Sequence, residues 1–203
     1  MKIPYTPIKV IDTFFETPDL WRHFALKQEF TRDAESPWPG VQTKLLNLLN
    51  EDLFAAFAKK IVKHVHGAKG FNHLRVNFAL TDETYGRGWV HQDEPQYNIA
   101  GLVYLNPTPP KNSGTTIYSQ SKPFTEDYKK YFHEELAASP EDRINYAGYK
   151  DQQRSFFKPN MLIENEFNRC IMFHPSEWHS AEQFFGTTKE DSRLCMLFFG
   201  VWQ

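Results

Sequence analysis

The chain has 203 residues, a formal charge of −2 and two cysteines. That length suits one domain with a real core, and the near-neutral charge argues against general binding to nucleic acid or an anionic membrane surface. No stretch approaches the roughly 20 apolar residues of a membrane span, and "MKIPYTPIKV" carries no apolar signal core, so a soluble cytoplasmic protein is expected.

The first third, to about residue 70, reads helical. Thr17-Pro18-Asp19 places a hydroxyl N-cap, a proline at the first helical position and an acid in the first turn. Leu20, Trp21 and Phe24 follow on one face. A second helix starts at Asn50-Glu51-Asp52, carries Leu53, Phe54, Phe57, Ile61 and Val65 at helical spacing, and should end at Gly67.

From residue 73 to 201 the hydrophobic period becomes two. "LRVNFAL", "WVHQDE", "NIAGLVYLN", "GTTIYS", "NRCIMF", "SAEQFF" and "RLCMLFFGVW" read as strands separated by turn residues, which predicts a mainly β sandwich or jelly roll. One block interrupts the series. Tyr128, Phe132 and Leu136 lie one helical turn apart after Thr125, and Ser139-Pro140-Glu141 starts another short helix. A helical insertion is therefore expected at about residues 120–160, either covering a binding opening or buttressing a sheet. Cys170 and Cys195 lie in apolar runs and read as buried free thiols.

Residues 91–93, "HQD", raise a chemical question. On a strand His91 and Asp93 share a face, so an imidazole and a carboxylate stand side by side. Most other histidines have structural explanations. His64 and His66 lie near a helix end, about 200° apart; His23 and His133 lie in amphipathic helices, and His73 opens a strand. His174 and His179 lie in "CIMFHPSEWHSAEQFF", a strand-turn-strand pattern. A late-strand histidine meeting His91 and Asp93 would complete a two-histidine, one-carboxylate facial triad, which suits non-heme Fe(II) better than zinc.

The order His91-x-Asp93, "GLVYLN", "SGTTIYS", "FHPSEWHS" and Arg193 resembles the Fe(II)- and 2-oxoglutarate-dependent dioxygenases, particularly the prolyl-4-hydroxylase-like branch. The resemblance implies a single domain over residues 1–203, a double-stranded β-helix with N-terminal helices packed on one sheet. It implies that His91, Asp93 and His179, rather than His174, bind Fe(II). It also implies that Arg193 and Tyr104 hold the far carboxylate of 2-oxoglutarate. O2 would take the remaining position, with succinate and CO2 released as a small-molecule or peptide substrate is hydroxylated.

The residues carry their own reading. Arg193 shares a face with apolar Cys195, Leu197 and Phe199, and a buried arginine needs an anion, which its planar fork grips bidentately. Exposure at the strand end is the alternative. Tyr104 lies between Val103 and Leu105, where its phenol could equally cap a core hydrogen bond. Arg75, Asn77, Tyr85, Trp89 and Trp178 are candidates for lining the pocket, or are ordinary core and surface residues. Two other functions fit the pattern: a cupin-like metal enzyme without 2-oxoglutarate, and a silent binding module on the same fold.

Overall fold

The change of hydrophobic period marks the border between two layers. The computed structural model describes residues 5–32, 38–124 and 147–203. Before the border lie β1 (Lys9–Ile11), α1 (Pro18–Leu26), β2 (Val41–Gln42), α2 (Leu46–Leu49) and α3 (Glu51–His64). α1 starts with proline in its first turn, although Thr17 makes no side-chain cap bond. α3 is capped by Asn50, whose side-chain oxygen accepts from Leu53 N at 2.9 Å. It stops at His64 because Val65 turns extended, and Gly67, with φ +82°, lies in the turn beyond. No described helix is long and apolar enough to cross a membrane.

After the border come β3 (Phe71–Thr81), a 3-10 turn (Glu83–Tyr85), β4 (Ile99–Tyr104), β5 (Thr115–Gln120) and α4 (Ala147–Arg154). β6 (Phe157–Ile163), β7 (Cys170–Phe173), β8 (Trp178–Ala181) and β9 (Arg193–Trp202) complete the order. The strands form a large antiparallel sheet, β1-β7-β4-β9-β3-β2, and a small one, β6-β5-β8. A bridge between His91 and His179 extends the small sheet beyond β8. The chain thus winds from β3 in the large sheet through His91 in the small one and back to β4, then repeats this through β5 to β9. This is a double-stranded β-helix.

Each face of the large sheet has its own core. The outer face sets Val76, Phe78, Ile99, Val103, Met196 and Phe198 against Phe14, Trp21, Leu46 and Phe57 of the N-terminal segment. Burying each such large side chain contributes about 1.5–3 kcal/mol, which fixes the helices to this face. The inner face sets Ala100, Leu102, Tyr104, Ile171, Phe173 and Cys195 against Ile117 and Ile163 of the small sheet. Both cysteines are buried and free.

Several boundaries differ from the sequence expectation. "WVHQDE" forms only the His91 bridge, and the strand expected at "SAEQFF" instead runs from Trp178 to Ala181. β6 is an edge strand with an exposed middle and contains Pro159, a residue that sheets accept on edge strands. The helices expected around Tyr128, Phe132, Leu136 and Ser139, with His133, lie outside the described residues.

Candidate metal centre and the arginine above it

The backbone creates the centre. His91 N donates to His179 O at 3.0 Å and His179 N donates to His91 O at 2.9 Å, so the two residues are directly opposed. Their rings project to the same side with centroids 4.3 Å apart. Asp93, two residues on, returns to that face and is anchored by Asp93 N donating to Pro175 O at 2.9 Å.

Local hydrogen bonds then fix the tautomers. His91 Nδ1 lies 2.9 Å from the carbonyl of Trp89, and His179 Nδ1 lies 2.9 Å from that of Glu177. A carbonyl only accepts, so each Nδ1 carries a proton, and in the neutral ring the lone pair is on Nε2. Both Nε2 atoms face the carboxylate of Asp93, each 3.6 Å from one of its oxygens. All three ligand atoms lie within 4.8 Å of one another, the one such group among the described residues. Ligands about 2.0–2.2 Å from a shared ion would lie roughly 3 Å apart, so small movements close the set.

The electrostatics agree with that donor set. Burial, with His91 adding to it against the pull of Asp93, drives His179 down to about 4, so it is neutral at physiological pH. Burial pushes Asp93 up, but the two histidines outweigh it and its pKa lies below the ordinary carboxylate range. A neutral imidazole at His179 and an anion at Asp93 are forms that a divalent cation accepts as ligands. Phe173 packs 4.6 Å from the His179 ring, and Trp38 stands edge-on to His91 at 4.6 Å.

His174 is built differently. Its Nδ1 accepts from Ser176 N at 3.2 Å and lies 2.7 Å from Ser176 Oγ, and its ring stacks on Tyr5 at 5.0 Å. The proton therefore sits on Nε2, and the residue stands outside the trio.

Arg193 opens β9 on the inner face and is 6% exposed. Its Nε and one terminal nitrogen are buried without a hydrogen-bond partner. Its guanidinium carbon lies 5.4 Å above the Tyr104 ring and 5.7 Å above Phe184. Tyr104 is fully buried, its hydroxyl 2.7 Å from Thr115 Oγ1, and burial raises its pKa to about 12, so it stays a neutral hydrogen-bonding group. A buried cation with unfilled donors costs free energy unless an anion reaches it. Thr115 lies two residues before Ile117, which opposes His179, so β5 links the arginine end to the metal end.

The other pocket candidates divide. Arg75 and Asn77 lie on the inner face of β3; Asn77 donates to Gln42 Oε1 at 2.9 Å. Tyr85 sits one ring removed from Arg193, edge-on to Phe184 at 6.4 Å and hydrogen-bonded by Arg32. Trp89 acts through its carbonyl. Trp178 does not line the trio: it leaves β8 on the side opposite His179 and packs on Phe157 at 4.7 Å and Phe124 at 6.3 Å.

Sequence reading missed Thr115, Phe173 and Phe184, although the alternation in "GTTIYS" already puts Thr115 on the face of Ile117. It also missed α4. There Lys150 donates to Tyr85 O at 2.7 Å, with burial lowering its pKa to about 8, and Arg154 donates to Gly88 O at 2.9 Å. These contacts cross long sequence separations and leave no local pattern.

Residues 2–183 match the family described as "Family of unknown function (DUF6445)". The chain belongs to that family. No curated protein matches its sequence. Among solved structures, this DUF6445 member is similar to HygX from Streptomyces hygroscopicus, solved with nickel and 2-oxoglutarate bound, at 12% identity and a TM-score of 0.59, covering 97% of this chain and 83% of that one. A Trichoplax adhaerens prolyl hydroxylase, in complex with a hypoxia inducible factor peptide fragment, is similar at 9% identity and a TM-score of 0.54, covering 96% and 83%. A Pseudomonas putida prolyl-4-hydroxylase follows at 12% identity and a TM-score of 0.51, covering 97% and 92%. The DUF6445 chain thus shares the fold of the 2-oxoglutarate oxygenases.

Proposed function

We propose that the chain is a mononuclear non-heme Fe(II) oxygenase that uses 2-oxoglutarate and O2 to hydroxylate a small-molecule or peptide substrate. The observation that carries this reading is the convergence of two lone-pair-bearing Nε2 atoms and one carboxylate in His91, His179 and Asp93. Three protein ligands on one side leave adjacent positions for other ligands. When bound, Fe(II) and 2-oxoglutarate supply the oxidising chemistry, with succinate and CO2 as coproducts.

The chain's own residues have defined tasks. His91 and His179 offer Nε2 atoms whose direction the Trp89 and Glu177 carbonyls fix. Asp93 supplies the negative charge. Arg193, with its unfilled donors, takes the far carboxylate of the cosubstrate, while Tyr104 is held by Thr115 beside it. Leu102, Ile117 and Cys195 wall the space between with apolar surface and keep water from the chelate. Shared fold with HygX and the prolyl hydroxylases supports the reading. A cupin-like enzyme without 2-oxoglutarate would have no use for a buried Arg193 with two unfilled donors.

Anaerobic titration tests the proposal. Fe(II) and 2-oxoglutarate added together should give a visible absorption band that neither gives alone, and O2 should then release succinate. Absence of both signals would remove the oxygenase reading.

A further inference from the structure

The inner face of the large sheet closes at one end and opens at the other. Along β9 the inward residues Arg193 and Cys195 are buried, whereas Leu197 and Phe199 are partly exposed. Their outward neighbours Leu194, Met196 and Phe198 are all buried. Apolar side chains that face the sheet interior yet keep contact with solvent mark an open mouth. On neighbouring β3 the inward Arg75, opposite Phe199, is also partly exposed and His73 beyond it is exposed, whereas Asn77, opposite Leu197, is buried.

One rung of the sheet connects this mouth to the metal centre. Arg75 opposes Phe199, Phe199 opposes Ala100, and Ala100 opposes Phe173. The Phe173 ring packs on His179 at 4.6 Å. Strands lie about 4.8 Å apart, so Arg75 and Phe173 start about 14 Å apart across the sheet. Phe199 and Ala100 stand between them on the same face, so a ligand spanning the rung would rest on the Phe199 ring and the small Ala100. Tyr97 flanks Phe199 at 5.7 Å and is stacked in turn on His73.

Arg75 is unusual on this rung. Its Nε is buried without a hydrogen-bond partner, and among the described residues no carboxylate pairs with it. Arg193, the other arginine of the inner face, lies six residues away along the partner strand, about 20 Å. A cosubstrate held at Arg193 therefore leaves Arg75 free.

We propose that Arg75 binds a carboxylate on the primary substrate, an organic acid whose apolar body lies over Phe199 and points a C–H bond at His91, Asp93 and His179. One planar fork matches one carboxylate bidentately, and the surrounding Leu197, Phe199 and Tyr97 suit a hydrocarbon or aromatic body. This rests on the oxygenase reading for the chemistry, but the acid site itself is a binding claim.

The test uses the full chain loaded with Ni(II) and saturated with 2-oxoglutarate, so that Arg193 is already engaged. Phenylacetate and indole-3-acetate are titrated against their neutral amides, with phenyl phosphate as a third arm, by thermal shift and calorimetry. The acids should bind at least about tenfold more tightly than the amides, as expected for losing a charged hydrogen-bond pair. Arg75→Gln should abolish the difference and Arg75→Lys restore part of it. Equal binding of acids and amides, an acid preference that survives Arg75→Gln, or binding of the phosphate alone would each overturn the proposal. The oxygenase reading fails separately, if the wild-type chain shows no 2-oxoglutarate response in the presence of metal.

Discussion

The side-chain amide of Gln153 bonds both backbone groups of Val90. Val90 N donates to its oxygen at 3.1 Å and its nitrogen donates to Val90 O. An amide in this pose stands in for a neighbouring strand, one residue before His91. Arg154 continues the grip by donating to Gly88 O at 2.9 Å and to Ser180 Oγ at 2.7 Å, while pairing with Glu182 at 3.1 Å. α4 therefore ties the segment that carries His91 to the strand that carries His179.

Gln153→Leu should accordingly loosen the metal centre. It leaves a buried N–H and C=O unpaired, at about 1–3 kcal/mol, and groups that orient ligands typically set 10- to 100-fold of metal affinity. Mn(II) affinity measured by calorimetry, beside the melting temperature in chelator, checks this. Gly101→Ala is the control. A Cβ there would meet Ile171 O at 2.3 Å and the Phe198 ring at 2.4 Å, costing about 1–3 kcal/mol by overpacking. It should lower the melting temperature and leave Mn(II) affinity near wild type.

The tautomers separate the histidines. His91→Ala and His179→Ala should each abolish stoichiometric Fe(II) or Mn(II) binding, because each removes one of three converging donors. His174→Ala should bind metal like wild type, losing only its stacking on Tyr5 and its bonds to Ser176. Full-strength binding in His179→Ala would sink the assignment.

Period-two patterning made β3, β4, β5, β7 and β9 legible, and the same alternation places Arg193 beside Cys195 and His91 beside Asp93. What stayed hidden depends on contacts between distant residues. The segment holding His91 has one bridge and takes its order from α4 and β8, so no local pattern marks it. β6 hides behind Pro159 and an exposed middle. The insertion was expected to cover an opening or to buttress a sheet. Its described end, Lys150 to Arg154, supports the segment from Tyr85 to Val90.

Acid should weaken the metal-free fold through His179. Its pKa is about 4 in the folded chain against an ordinary 6.5, so the unfolded state binds the proton first. Stability is then complete above pH 6.5 and declines as pH falls from 6.5 towards 4, by about 3 kcal/mol for a shift of this size. Asp93, with its lowered pKa, adds a further loss only below the ordinary carboxylate value of 3.8. Denaturant melts of the apo-protein across this range, compared with His179→Gln, should show the variant's slope flattened.

Arg193 gives a prediction with opposite signs in the two states. Without cosubstrate it is a buried cation whose Nε and one terminal nitrogen lack partners, so replacing it by an apolar side chain of similar length removes an uncompensated group. Arg193→Met should leave the apo melting temperature unchanged or raise it, as replacement of buried charges by packed apolar groups often does. With metal and 2-oxoglutarate the same variant should lose the charged pair, at about 2–5 kcal/mol, or roughly 30-fold or more in 2-oxoglutarate affinity. Metal affinity should stay near wild type, because the three ligands are untouched. Arg193→Lys should recover charge but not the planar fork, and fall between the two. Thermal shifts with metal alone and with metal plus 2-oxoglutarate measure all of this. A variant that melts lower when apo, yet still binds 2-oxoglutarate normally, would make Arg193 a structural residue and favour a metal enzyme that does not use this cosubstrate.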